Sequence, residues 1–355
     1  MAIGSLMLAT GLARAQSSMR LDPDGRWVPA EQTPDPASDA GVMMRARAAL
    51  AEGRPRAALA LLDSWIKRNT AQDRPEMAEA FLRRGDAKLA LKDEYEALID
   101  YEVVINDYPG TPQFVVAVER ELEVALMYLN GLRRKFLGLR IDDATRIGEE
   151  LLIRVQERMP GSQLAQRAAI ELANYYYRVR DLRMAGEAYE IFLVNFPNSE
   201  YRQLAMQRRV FANIGRYKGP RYDASGLIEA QFLVRDFAAR FPQQAEQIGM
   251  TDALIARLDE SAAEQMYESA RWYLGQKDEV SARYTLRRLV RKHPDTVAAR
   301  RATDLFAEKG WGPVVPPAPA RTPADSPATD SSAASASPES AASPGSANSE
   351  PEAQP

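Results

Sequence analysis

The chain contains no cysteine and one histidine. Disulfides, thiolate metal sites, thiol nucleophiles and a lipid thioether on cysteine are thereby excluded, as are paired-histidine metal centres such as HExxH. Glycine loops with Walker spacing or a GKS/T ending are missing: Gly215 and Gly219 stand alone in GRYKGPRYDASG. Charge of one sign is also missing, since 46 basic and 49 acidic residues leave a net charge of −3 and a pI near 5.6. That balance gives no electrostatic drive towards nucleic acid. The apolar run at the N-terminus falls well short of the roughly 20 residues that span a bilayer. No catalysis and no cofactor are expected from such an inventory.

Proline, in contrast, is placed with regularity. A large residue precedes a proline at Tyr108-Pro109, Met159-Pro160, Phe196-Pro197, Phe241-Pro242 and His293-Pro294, and these prolines recur 37 to 52 residues apart. Four are followed by a turn-and-cap pair, Gly-Thr, Gly-Ser, Asn-Ser or Asp-Thr. Within each unit the intervals hold. Ala173 is followed by Ala185, Tyr189 and Pro197; Gly85 by Ala97, Tyr101 and Pro109; Ala270 by Ala282, Leu286 and Pro294. Ala46, Ala58 and Leu62 keep the first two intervals before Thr70 replaces the proline. Small residues let two helices approach, large ones fill the angle between them, and proline stops the second helix. The spacing resembles the tetratricopeptide repeat, a helix-turn-helix of about 34 residues. The expected fold is an all-α solenoid of about five to six such repeats over residues 39–310, its core spread along its length.

The predicted helices are 39–52 with 55–68, 75–91 with 93–108, a longer pair within 112–137 and 142–159, 162–179 with 181–196, 199–216 with 223–241, 251–275 with 278–293, and a closing helix at 295–309. Asp39 is the expected first N-cap, and 215–226 the expected exposed loop. Residues 1–15 read as a secretory signal ending in Ala13-Arg14-Ala15, lacking a basic n-region. Residues 16–38 read as an extended linker. Residues 311–355, nearly all Pro, Ala, Ser, Thr and acids after Trp311, read as a disordered acidic tail.

Candidate binding residues follow from the register. Tyr177 with Asn174, Arg167 and Arg178 falls on the face of its helix away from the partner, which lines the concave groove of tetratricopeptide arrays. Amide and guanidinium groups there suit the backbone or a carboxylate of an extended peptide. Arg47, Glu79, Asp86 and Arg271 hold similar places in other repeats. His293 stands where Tyr108 and Phe196 stand elsewhere, which makes it a helix-end packing residue. The acidic neighbours Asp142-Asp143, Glu149-Glu150 and Asp93-Glu94 are expected to cap helices or face water.

The leader, the repeats with their Tyr/Phe-Pro ends, and the closing segment AAEQMYESARWYLGQKDEVSARYTLRRLVRKHPDTVAARRA together resemble the outer-membrane assembly factor BamD family over residues 41 to 309. The elements that carry the resemblance are Ala270, Tyr273, Ala282, His293-Pro294 and Asp295-Thr296, with histidine in place of the family's tyrosine. It implies a non-catalytic periplasmic scaffold, peripheral at the outer membrane, that docks on the barrel-assembly machinery and receives unfolded outer-membrane chains. The family's acylated cysteine has no counterpart here, so membrane association is expected through partners, not through a lipid anchor or spanning helix. Two other readings stand beside it. One is an envelope scaffold coordinating peptidoglycan synthesis or division with the outer membrane, although 16–38 holds no heptads for a trimerising coiled coil. The other is an enzyme accessory module or hidden hydrolase, for which the nucleophile–base pair is missing.

Overall fold

The computed structural model describes residues 19–21, 27–29, 34–72, 74–136 and 139–314. The expected signal (1–15) and nearly all of the expected tail lie outside the described residues. Within the expected linker, β1 (Met19–Leu21) pairs antiparallel with β2 (Trp27–Pro29).

Helices account for nearly everything else. They are α1 (Asp39–Ala51), α2 (Pro55–Asn69), α3 (Met77–Ala90), α4 (Glu94–Asp107), α5 (Pro112–Leu129), α6 (Thr145–Arg158), α7 (Gln163–Arg178), α8 (Leu182–Asn195), α9 (Arg202–Gly215), α10 (Ser225–Arg240), α11 (Pro242–Gln247), α12 (Asp252–Gly275), α13 (Glu279–Lys292) and α14 (Val297–Glu308). Six antiparallel pairs, α1/α2, α3/α4, α5/α6, α7/α8, α9/α10 and α12/α13, form an α-solenoid closed by α14. The first helix of each pair is an A helix and the second a B helix.

Local chemistry sets the boundaries. Tyr108, Met159, Phe196, Phe241 and His293 end their B helices with φ between −134° and −128° and ψ between 46° and 64°. A following proline ring disfavours the α region in this way, and the B helix stops. Ser162 and Thr296 then cap the next helix by accepting the amides of Ala165 and Ala299, both at 3.1 Å. At Pro242 the proline instead opens the short helix α11. The A-to-B turns repeat a second device: Lys92, Arg180 and Lys277 each sit at φ 64°, and each is followed by an aspartate. Asp181 and Asp278 accept the amides of Met184 and Ser281. The first N-cap is Ser38, which accepts the Gly41 amide at 3.1 Å, and not Asp39. Asp39 accepts from the Trp65 indole at 2.8 Å and from Arg74 at 3.1 Å.

The expectation of helix through 137 is corrected. Asn130-Gly131, with Gly131 at φ 95°, ends α5 at Leu129. The chain then forms an antiparallel hairpin of β3 (Arg134–Phe136) and β4 (Leu139–Asp142). Arg140 pins it to the α3–α4 turn, donating to both Glu94 carboxylate oxygens at 2.7 and 3.0 Å and to the Lys92 carbonyl at 3.0 Å.

The core is a series of clusters strung along the array, one for each set of adjacent helices. Ala46, Ala58, Leu62, Ala97, Tyr101, Ala173, Ala185, Tyr189, Ala270, Ala282 and Leu286 have no exposed surface. Gly85 shows why these positions are small: a Cβ there would stand 2.5 Å from the Tyr101 ring. Enlarging Ala185 to leucine should overpack the α7–α8 contact and cost about 1–3 kcal/mol. Thermal unfolding checks it, and an unchanged midpoint would refute the tight approach.

Candidate binding groove

Each A helix from α1 to α7 touches the next A helix, whereas no comparable contact joins successive B helices among the described residues. The array therefore curves with the A helices inside. Two hollows lie along this inner side, one of ≈ 620 Å³ bounded by Leu50, Leu89, Arg83 and Arg120, the other of ≈ 730 Å³ bounded by Leu89, Leu126, Met127 and Arg140. They share Leu89 and Glu123 and make one trough along α1, α3 and α5, with an aliphatic floor between charged walls.

The charged walls are tied together. Arg47 on α1 meets Glu79 on α3 at 2.9 Å, Arg83 pairs with Asp86 at 3.0 Å, and Arg120 on α5 reaches Asp86 at 3.0 Å and Glu123 at 3.1 Å. Asp86 also accepts the Tyr101 hydroxyl at 3.1 Å. Burial, with the Asp86 charge, raises the Tyr101 phenol far above its ordinary range, so this proton stays on tyrosine as a donor.

The same staple recurs two pairs later. Asn174 accepts the Tyr189 hydroxyl at 2.8 Å and the Arg208 guanidinium. Its spacings are identical, 15 residues to the tyrosine and 34 to the arginine. An acceptor on one A helix thus binds its own B helix and the next A helix at once. Arg208 also stacks over Tyr177 at 5.6 Å, and Tyr177 packs edge-on against Tyr189 at 6.3 Å. Burial pushes the Tyr189 phenol up to about 12.

The residues singled out from the sequence therefore divide. Arg47 and Asp86 both line the trough wall, with different ion-pair partners, and Asn174 and Tyr177 both lie against Arg208. Arg178 turns back to donate to the Leu129 carbonyl at 2.9 Å, stacking over Tyr175 at 5.7 Å, and so joins α7 to the end of α5. Arg167 is exposed and has no ion pair among the described residues. Arg271 lies apart on α12, paired with Glu268 at 3.1 Å. What the sequence reading missed is the apolar floor. Part of its signal was present: Leu50 and Leu89 each stand four residues after the small A-helix position, and both are half-buried.

The remaining acids and the histidine have separate partners. Asp143 caps Thr145, Glu149 accepts from Tyr176, and Asp93 and Glu94 hold the hairpin through Lys135 and Arg140. His293 is buried, its Nδ1 2.8 Å from Asp259. No group of side chains suited to a metal ion occurs among the described residues.

Comparison with known proteins bears on two stretches of the array. Residues 79–111, which contain Gly85, Ala97, Tyr101 and Pro109, match the tetratricopeptide repeat model. Residues 145–309 match YfiO, the outer membrane lipoprotein family. The array is thus built of tetratricopeptide-type repeats, and its α6-to-α14 portion is similar to that outer membrane lipoprotein family. A solved structure, the C-terminal part of a tetratricopeptide repeat-containing protein from Cytophaga hutchinsonii, is similar over 74% of this chain and 86% of that one, at 12% identity and a TM-score of 0.35. No curated protein matches the sequence.

Two predictions follow from the polar contacts. Asp86→Ala leaves the Tyr101 hydroxyl and Arg120 without their shared acceptor and should lower stability by about 1–3 kcal/mol, whereas Asp86→Asn, the amide already used at 174, should cost much less. Denaturant unfolding of the two variants decides it, and equal losses would dismiss the staple. The second concerns Glu121, which is fully buried against Arg158 and Glu102. Burial pushes its carboxyl from 4.5 up to about 7, against the pull of Arg158. A raised carboxyl stabilises the fold below its unfolded value and loses that contribution as pH rises through the folded one. Glu121→Gln should therefore flatten the pH dependence between about pH 5 and 7 and gain roughly 1–3 kcal/mol over the parent above it. Parallel melting curves for the two proteins across that range would contradict the assignment.

Proposed function

We propose that this protein is a non-catalytic periplasmic scaffold of the barrel-assembly kind, holding an extended polypeptide in the trough along α1, α3 and α5. The observation that carries the reading is the trough's make-up. An aliphatic floor of Leu50, Leu89, Leu126 and Met127 takes apolar side chains in succession, and the Arg47 to Glu123 network supplies fixed charges to backbone and polar groups alongside. An unfolded outer-membrane strand alternates apolar and polar residues and suits such a surface. Similarity of residues 145–309 to an outer membrane lipoprotein family supports placement in the envelope, with that portion serving as the dock for assembly partners. No helix among the described residues is long and apolar enough to cross a membrane, which fits attachment through partners.

Crosslinking of the full chain in membranes of its native host, with partners identified by mass spectrometry, should recover barrel-assembly subunits and unfolded outer-membrane proteins. Met127→Glu places a charge on a partly exposed floor position and should reduce capture of unfolded chains about tenfold while leaving the subunits. Recovery of cell-wall enzymes in place of both would overturn the reading in favour of a peptidoglycan-coordinating scaffold.

A further inference from the structure

The outer face of the last repeat has features that the trough does not use. Helix α13 carries five bases, Arg283, Arg287, Arg288, Arg291 and Lys292, against one acid, Glu279. Arg287, Arg288, Arg291 and Lys292 are exposed and form no ion pair among the described residues. On the same helix apolar side chains stand in the open: Val280 is 82% and Tyr284 63% exposed. Beside them a hollow of ≈ 310 Å³ runs between the start of α10 and α13, walled by Tyr273, Tyr284, Arg288 and Lys292. Through Ser269 and Tyr273 it joins a second hollow, of ≈ 570 Å³, under Pro220 and Arg221 of the 216–224 loop, where Trp272 is 61% exposed. The 216–224 loop thus completes an aromatic-lined channel in which the cations Arg221, Arg271, Arg288 and Lys292 outnumber the acids Asp223 and Glu268.

The chain itself is delivered to this place. After α14, Trp311 packs edge-on against Phe306 at 5.4 Å, its carbonyl accepts from Arg283 at 2.9 Å, and Val314 packs on the same cluster. Arg287 stacks over the other side of this site, 5.8 Å from the Phe306 ring centre. Residues 315–355 therefore begin next to α13. They contain Asp325, Asp330, Glu339, Glu350 and Glu352 against the single base Arg321, and they open with Pro316, Pro317, Pro319, Pro323 and Pro327.

We propose that this acidic, proline-rich segment docks in cis across the outer face of α13 and into the channel lined by Trp272, Tyr273 and Tyr284. Proline-rich chain with a polyproline II preference suits grooves lined by aromatic rings, because little entropy remains to be lost on binding. Reach is sufficient: eleven residues from Val314 to Asp325 at about 3.1 Å each span roughly 34 Å, against a helix about 10–12 Å across. Asp325 and Asp330 then arrive at Arg288, Lys292 and Arg221. Each such exposed pair is weak and salt-sensitive, and the tether compensates by holding the segment at an effective concentration near millimolar.

The absence of cysteine permits a direct test in the full chain. Ala324→Cys, labelled with a benzophenone maleimide and irradiated at low protein concentration, should give crosslinks within one molecule that map to residues 216–224 and 266–292. Their yield should fall severalfold in about 0.5 M salt, in the double variant Arg288→Glu with Lys292→Glu, and in Trp272→Ala, each of which changes exposed side chains only. Crosslinks scattered along the solenoid, crosslinks between copies, or a yield indifferent to salt and to all three substitutions would overturn the proposal. The trough variant Met127→Glu should leave the crosslinks unchanged, so failure here and failure of the trough reading are separable.

Discussion

Close approach of paired helices at one small residue on each is the constraint on which the rest of the molecule depends. Where Ala173 and Ala185 share one cluster, or Gly85 lies against the Tyr101 ring, two backbones come near enough for the large residue, Tyr189 or Tyr101, to be wholly enclosed. Enclosing a tyrosine creates a polar obligation, since a hydroxyl without a partner in such a place costs about 1–3 kcal/mol. Asp86 and Asn174 meet that obligation from the neighbouring A-helix position. By also accepting from Arg120 and Arg208, they turn a within-repeat necessity into a between-repeat link. In the first and last repeats Leu62 and Leu286 replace the tyrosine, and the adjacent positions are the exposed Arg47 and Arg271. The acceptor is present where the hydroxyl is present.

This coupling explains which parts of the molecule were legible in the sequence. Repeat boundaries were, because proline, the preceding bulky residue and the following cap act over a few residues and leave a local signature. The small-to-large spacing was legible for the same reason. The β3–β4 hairpin was not: a helical period was carried past Asn130-Gly131, although alternation in Leu139-Arg140-Ile141-Asp142 has the period of a strand. What stabilises the hairpin is Arg140 on Glu94, 46 residues earlier, and no local pattern announces such a contact.

The groove was legible only by face. Helical register places Arg47, Asp86, Asn174 and Arg178 towards the concave side but says nothing of whether a charge there is free. In the fold, Asp86 and Asn174 serve the array, Arg178 serves the junction of α5 with α7, and Arg167 is exposed without an ion pair among the described residues. A charged residue beside a buried tyrosine is drawn inward; one beside a leucine is left out. The proposed binding surface rests accordingly less on these charges than on the half-buried leucines Leu50 and Leu89, four residues after the small positions Ala46 and Gly85.

Curvature also makes the hollows of the two faces different in kind. A helices crowd together inside, so their hollows are shallow, continuous and floored by leucine and methionine, a shape that accepts a chain lying along the array. B helices splay outside, and the hollows between them, such as the one between α4 and α6 lined by Tyr95, Ile99 and Arg154, are discrete and bounded by a single pair. A ligand that must be held without regard to its sequence is better served by the first kind, where contact is repeated and no one residue decides. A segment of fixed sequence attached at one end of the array is better served by the second, where a few aromatic and basic side chains suffice because the tether has already met most of the entropic cost.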